Sequence, residues 1–112
     1  MVIIHEKIDI PAPYERLKAW AENFEEEFVK WSPYHLECEL YDQSLSPGSR
    51  VRFYEIVMGI DYDVTGTITE SEESADHFRY VFLSDQKFAV IIFEGRRTKK
   101  GCYFSQIGRA HV

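Results

Sequence analysis

Residues 2–13, VIIHEKIDIPAP, decide the fold. Val2, Ile4, Ile8 and Ile10 recur at every second position on one face, with Glu6 the exception, and this alternation predicts a strand over 2–10. Pro11 and Pro13 end it, because proline lacks the backbone N–H a ladder needs. Pro13 is also suited to opening a helix. Tyr14, Leu17, Trp20, Ala21, Phe24 and Phe28 follow at helical spacing. They predict two short helices, or one broken helix, over roughly 13–31, with Asn23 the break. Glu25-Glu26-Glu27 reads as a solvated face that favours a helix N-terminus.

Beyond Pro33 the period becomes two. Residues 35–42 place Leu36, Cys38 and Leu40 on one face. Ser46-Pro47-Gly48-Ser49 is a turn. Strands are predicted over 50–58, 62–71, 76–83, 87–97 and 102–106, joined by short polar turns. In 62–71, Tyr62, Val64, Gly66 and Ile68 alternate with Asp63, Thr65, Thr67 and Thr69. A strand, helices and then consecutive strands make an α+β domain, an antiparallel meander packed on helices. A curved sheet of this kind has a concave face. With only two short helices to cover it, Phe53, Tyr62, Val64 and Phe82 are expected to form an open apolar patch, the sign of a missing covering element.

Composition narrows the function. A chain of 112 residues is one domain. A hydrophobic content of 45% and an aromatic content of 15% exclude disorder. A net charge of −6 argues against a nucleic-acid partner, which needs a basic footprint. The basic cluster Arg96-Arg97-Thr98-Lys99-Lys100 reads as a hairpin turn before Gly101. No stretch has the length of a membrane span, and Met1–Lys7 does not read as a secretory signal. Cys38 and Cys102 form no C-x-x-C. They fit a reducing, cytoplasmic setting, with Cys38 a small buried apolar residue.

Two polar residues interrupt the apolar pattern. Val51, Phe53, Glu55 and Val57 share a face of the strand 50–58, so Glu55 is a carboxylate among apolar neighbours. Buried there, it needs a cation, a metal or a proton. Pointing outward, it is solvated or paired with an arginine such as Arg79. The segment Trp31-Ser32-Pro33-Tyr34-His35 places an imidazole just past a proline-fixed turn, where it is either a hydrogen-bonded structural group or a ligand. His35 and Glu55 can hold one side of a divalent metal, whereas a catalytic zinc takes three protein ligands plus water. Phe53, Tyr62, Tyr80 and Phe82 are candidate walls for a flat apolar ligand, or ordinary core. His5 and His77 are further polar candidates, His77 expected to face solvent, and Tyr34 is a possible proton donor.

The ends of the chain carry one more expectation. Ile107-Gly108-Arg109-Ala110-His111-Val112 match, in frame, the start of a widely used sequencing adaptor (ATC GGA AGA GCA CAC GTC). They are read as an adaptor-derived scar, which leaves 1–106 as an incomplete domain, removes His111 as a ligand, and predicts an unstable or self-associating product.

The opening strand, Ile10-Pro11-Ala12-Pro13 before a helix, the Trp-x-Pro segment and the meander together resemble the START/Bet v1-like (SRPBCC) helix-grip superfamily, up to Gln106. Trp31-Ser32-Pro33-Tyr34-His35, Gly48-Ser49, Phe53-Tyr54-Glu55 and Gly59 are similar to the branch that includes diacetylphloroglucinol hydrolase and phloretin hydrolase. That resemblance implies a curved antiparallel sheet, two short N-terminal helices and a C-terminal helix, the last missing from this chain. It implies that His35 and Glu55 bind a divalent metal, usually zinc. The branch takes its other ligands from an H-x-x-x-E pair on the C-terminal helix, and this chain has no such pair. The activity implied is metal-dependent hydrolysis of a carbon–carbon bond in an aromatic or polyketide-type molecule, inactive in a truncated chain. The alternative within the same fold is a non-catalytic module for a lipid, polyketide or other hydrophobic molecule. A structural or chaperone-partner domain of this fold is a third possibility, and fold alone does not separate them.

Overall fold

The computed structural model describes residues 2–110 apart from Phe88. The side chains of Val2, Ile4 and Val57 lie outside the described residues, as do Met1, His111 and Val112. The inward assignments of Val2, Ile4 and Val57 and the exclusion of His111 therefore fall outside them too.

The elements run β1 (Val2–Ile10), α1 (Tyr14–Glu22), α2 (Phe24–Trp31), β2 (His35–Leu40), β3 (Arg50–Val57), β4 (Ile60–Glu73), β5 (His77–Ser84), β6 (Ala89–Thr98) and β7 (Gly101–Ala110). Pro13 caps α1 rather than joining it, and its extended backbone delivers Tyr14 into the first turn. Asn23 ends α1 and starts α2: its N–H bonds to the Trp20 carbonyl, and its own carbonyl accepts from the Glu27 N–H. It is the predicted break.

All strands join one antiparallel sheet of seven, ordered β1-β7-β6-β5-β4-β3-β2. The two helices stand in the chain between the strands that become its two edges. The sheet curls around them as a half-barrel. The curl needs a close approach at Gly66, where a Cβ would lie 2.1 Å from the Leu83 carbonyl oxygen, so any larger residue would push β4 off β5. A bulge between Ile68 and Glu70 adds to the bend.

Several expectations are corrected. The concave face is not bare at Phe53, Val64 and Phe82: α2 sets Phe24 and Phe28 on it, and all three residues are buried. Phe24 meets Phe93 at 4.9 Å and Phe53 meets Phe82 at 5.0 Å, both edge to face, an arrangement aromatic quadrupoles favour. Glu25 is not simply solvated, because its carboxylate accepts the Leu40 N–H at 2.8 Å. The predicted last strand, 102–106, extends over Gly101–Ala110, and its Ile107–Ala110 portion pairs with both β1 and β6. Lys99 and Lys100 form the tip of the β6–β7 hairpin, as read, while Arg97 reaches back to Asp76 and Glu15.

The face assignment in β2 also changes. His35 pairs with Glu55, but Glu37 pairs with Tyr54, so Leu36 is an extra residue in a bulge. Strict alternation would turn His35 away from Cys38 and Leu40. The bulge instead puts Leu36 on the surface, 37% exposed, and turns His35 inward.

Candidate functional site

The turn after α2 is built from two short-range bonds and one bond to β3. The Tyr34 N–H bonds to the Ser32 hydroxyl, the His35 N–H to the Ser32 carbonyl, and the Ile56 N–H to the Tyr34 carbonyl. Proline at position 33 holds this bend. The result pins β2 to β3 with His35 directly opposite Glu55. Both side chains are buried, each residue being 8% exposed, and His35 Nε2 lies 3.4 Å from Glu55 Oε2.

The imidazole is held on three sides. Its ring stacks on Phe28 with centroids 3.9 Å apart and planes within 1°. Trp31 meets it edge-on at 4.8 Å. Nδ1 is 2.8 Å from the Phe28 carbonyl oxygen, which can only accept, so Nδ1 carries the proton. In the neutral ring, Nε2 is then a lone pair directed at the Glu55 side.

At 3.4 Å the pair is too far apart for a strong hydrogen bond. Burial, not mutual attraction, sets the two titrations. It lowers the His35 pKa, offset in part by the Phe28 carbonyl and the Glu6 carboxylate. It raises the Glu55 carboxyl to about 7, helped by the charge on Glu6. Both groups thus lean toward their uncharged forms. A neutral acid and a neutral imidazole facing each other can hold or pass one proton between them.

The pair opens onto a hollow of about 250 Å³. Val64, Ala89 and Ile91 form apolar wall, Tyr34, Ile56, Met58 and Tyr62 also line it, and Glu6 and Gln106 face it from β1 and β7. A second, almost wholly apolar groove of about 300 Å³ follows along the same strands, lined by Ile8, Ile10, Leu17, Trp20, Trp31 and Phe104 among others.

The structure thus brings His35 and Glu55 together. Of the candidate walls, only Tyr62 lines the hollow. Phe53, Tyr80 and Phe82 are packed in the core instead, and the Tyr80 hydroxyl donates a hydrogen bond to Glu73 at 2.5 Å. Arg79 pairs with Glu70 and not with Glu55. His77 is half-buried and sits 2.9 Å from Glu94, contrary to the expected solvent-facing position. His5 is exposed on β1. Tyr34, 61% exposed, stands at the mouth of the hollow. Cys38 is buried, and burial pushes its thiol up to about 12, so it is an inert packing residue.

Gln106 and Glu6 are among the residues of the hollow that the sequence reading did not single out as site candidates. Gln106 is 6% exposed on β7, across the ladder from Glu6. Cys102, Phe104 and Gln106 alternate, so an amide in an apolar series was the available signal. Glu6 announced itself the same way, as the exception in β1.

Among the described residues no group of three or more His, Cys, Asp and Glu side chains is placed to hold a metal. His35 and Glu55 provide two donors where a catalytic zinc takes three. No helix among the described residues is long and apolar enough to cross a membrane.

No family model matches the chain. No curated protein sequence matches it. Solved structures do. Ara h 8.0201 aligns at a TM-score of 0.61 with 17% identity, over 99% of this chain and 77% of its own. Major latex-like protein 151 of Panax ginseng gives 0.63 with 13% identity, over 99% and 80%. The Polyketide_cyc-like protein Cgl2372 of Corynebacterium glutamicum gives 0.55 with 14% identity, over 97% of this chain and 65% of its own. At such identities the likeness is one of architecture. With the curled seven-stranded sheet and its paired short helices, it gives this chain the Bet v1-like helix-grip fold.

Proposed function

We propose that the domain binds a small, flat, largely apolar molecule in the hollow beside His35 and Glu55. The observation that carries this reading is the placement of a buried acid–imidazole pair in a largely apolar hollow. Pockets for small molecules have that make-up, apolar lining with a few convergent polar groups, and perturbed pKa values collect in them. An uncharged ligand suits the buried pair, because His35 and Glu55 both favour their neutral forms. The polyketide-cyclase name of the Corynebacterium neighbour points the same way.

The test uses an uncharged naphthalene fluorophore. Saturable one-to-one binding is expected, and Ala89→Phe, which grows a ring into the hollow from β6, should abolish it while leaving the melting temperature near that of the parent. Equal binding by parent and variant would place the molecule elsewhere and reject the reading.

A metal-dependent hydrolase is the second reading, favoured by one detail. An imidazole anchored through Nδ1 on a carbonyl, with Nε2 free toward a carboxylate, is the way proteins orient a metal-ligating histidine. His35 and Glu55 would hold one side of a divalent cation such as zinc. When bound, such an ion lowers the pKa of water and polarises a carbonyl, the chemistry of carbon–carbon bond hydrolysis. Phe28 would fix the imidazole, and the apolar wall would exclude bulk water. Zinc titration followed by calorimetry tests it. His35→Ala and Glu55→Gln should each weaken binding by about tenfold or more, and unchanged zinc affinity in the double variant rejects it.

A further inference from the structure

We propose that Gln106 is the specificity-determining residue of the hollow, and that it selects ligands carrying a carbonyl-type oxygen at their buried end. The inference rests on the ligand-binding reading above and goes further, to the chemistry the ligand must present.

Gln106 is 6% exposed and lines the hollow. Among the described residues its side-chain amide makes no hydrogen bond, and no buried side-chain N or O atom is sealed off without a partner. The amide therefore keeps contact with the open space of the hollow. A guest that displaces water from this amide must complete its hydrogen bonds or leave it unpaired, which is costly.

The other buried groups define what Gln106 adds. His35 Nδ1–H is already engaged by Phe28, so His35 faces the hollow with an acceptor lone pair. Glu55, 3.4 Å from His35, offers carboxyl oxygens and no N–H donor. Val64, Ala89 and Ile91 offer no polar side-chain atom. Among the described side chains of the hollow, Gln106 and Arg109 carry permanent N–H donors, and of the two only Gln106 is buried. Its donors are complementary to a ligand oxygen that accepts, such as a ketone. A hydrocarbon of the same shape would leave the amide without its bond, and a site built on hydrogen bonding discriminates against such an analogue.

The experiment compares 1-acetylnaphthalene with 1-ethylnaphthalene, two probes of similar shape that differ by a carbonyl in place of a methylene. Affinities are measured for the parent, Gln106→Met and Gln106→Leu, and the acetyl-to-ethyl ratio is taken within each protein. A general weakening of the fold cancels in that ratio. The parent should favour the ketone, and both variants should lose about tenfold of that preference while holding the hydrocarbon at least as well. Binding of both probes with the same ratio in all three proteins overturns the role of Gln106 and leaves the ligand-binding reading standing. Failure of both probes to bind the parent overturns both.

Discussion

Glu55 carries a carboxyl whose titration the fold moves from the acid range to near neutrality. Its carboxyl titrates near 4.5 in an unfolded chain and at about 7 in the fold, because burial opposes the charged form. Between those values the native state keeps the proton that the unfolded state has lost, so stability falls as pH rises through the window. The full penalty applies above pH 7 and amounts to about 3 kcal/mol at most. His35 has the opposite sign. Its folded pKa lies below 6.5, so its contribution is whole above 6.5 and is lost as pH falls through the lowered value. The two slopes oppose each other in the parent protein, and a substitution separates them. Glu55→Gln keeps the shape and removes the titration. Its stability relative to the parent should climb between pH 4.5 and 7 and level off above, as read by urea melts across that range. A constant offset at all pH values would show that Glu55 is not buried as described. The acid's identity and inward face were legible from the alternation Val51, Phe53, Glu55. Its partner's direction was not, since His35 turns inward only because Leu36 is expelled in a bulge, and a bulge depends on pairing between strands that no single-strand pattern records.

Among the elements, local grammar carried most of the fold. The alternation in β1, the prolines that stop it and the two short amphipathic helices meeting at Asn23 are short-range effects, and the structure repeats each. The strand ends were less legible. β4 runs Ile60–Glu73 against a predicted 62–71, since pairing partners extend a strand past its own apolar pattern. The same limit hid which aromatics line the hollow. Phe53 and Phe82 share inward faces with Glu55 and Val64, but α2 lands on Phe53, which in turn packs on Phe82, and neither lines the hollow. Where a helix docks is decided by side chains far apart in sequence, here Phe24 and Phe28 against Phe53 and Phe93. That docking turns an expected open patch into core; the hollow keeps walls from β2, β3, β4 and β6 as well as from β1 and β7.

The fold has two sheet edges, and it treats them differently. β2 is an outer strand, yet the Leu40 N–H on its free side is taken by Glu25 of α2 at 2.8 Å. β1 is the other outer strand, carrying exposed Ile3 and Ile8 beside charged Glu6, Lys7 and Asp9. Charges on an edge discourage pairing with another chain. A carboxylate that accepts a backbone N–H does more, because it satisfies the ladder's open donor and ties the helix layer to the sheet. If that tie is local, its loss should be local. Glu25→Ala should speed amide exchange at Leu40 by about tenfold or more, the scale of a hydrogen bond to a charged group. Amides of β5 and β6, paired on both sides, should be unchanged. Glu26→Ala, one residue along the helix and exposed, serves as the control for lost helix-dipole stabilisation. Hydrogen exchange followed by NMR reads all three. An unaltered Leu40 rate, or a rate increase shared by β2, β5 and β6, would mean that α2 is held by its aromatic face alone and that the Glu25 bond contributes nothing of its own.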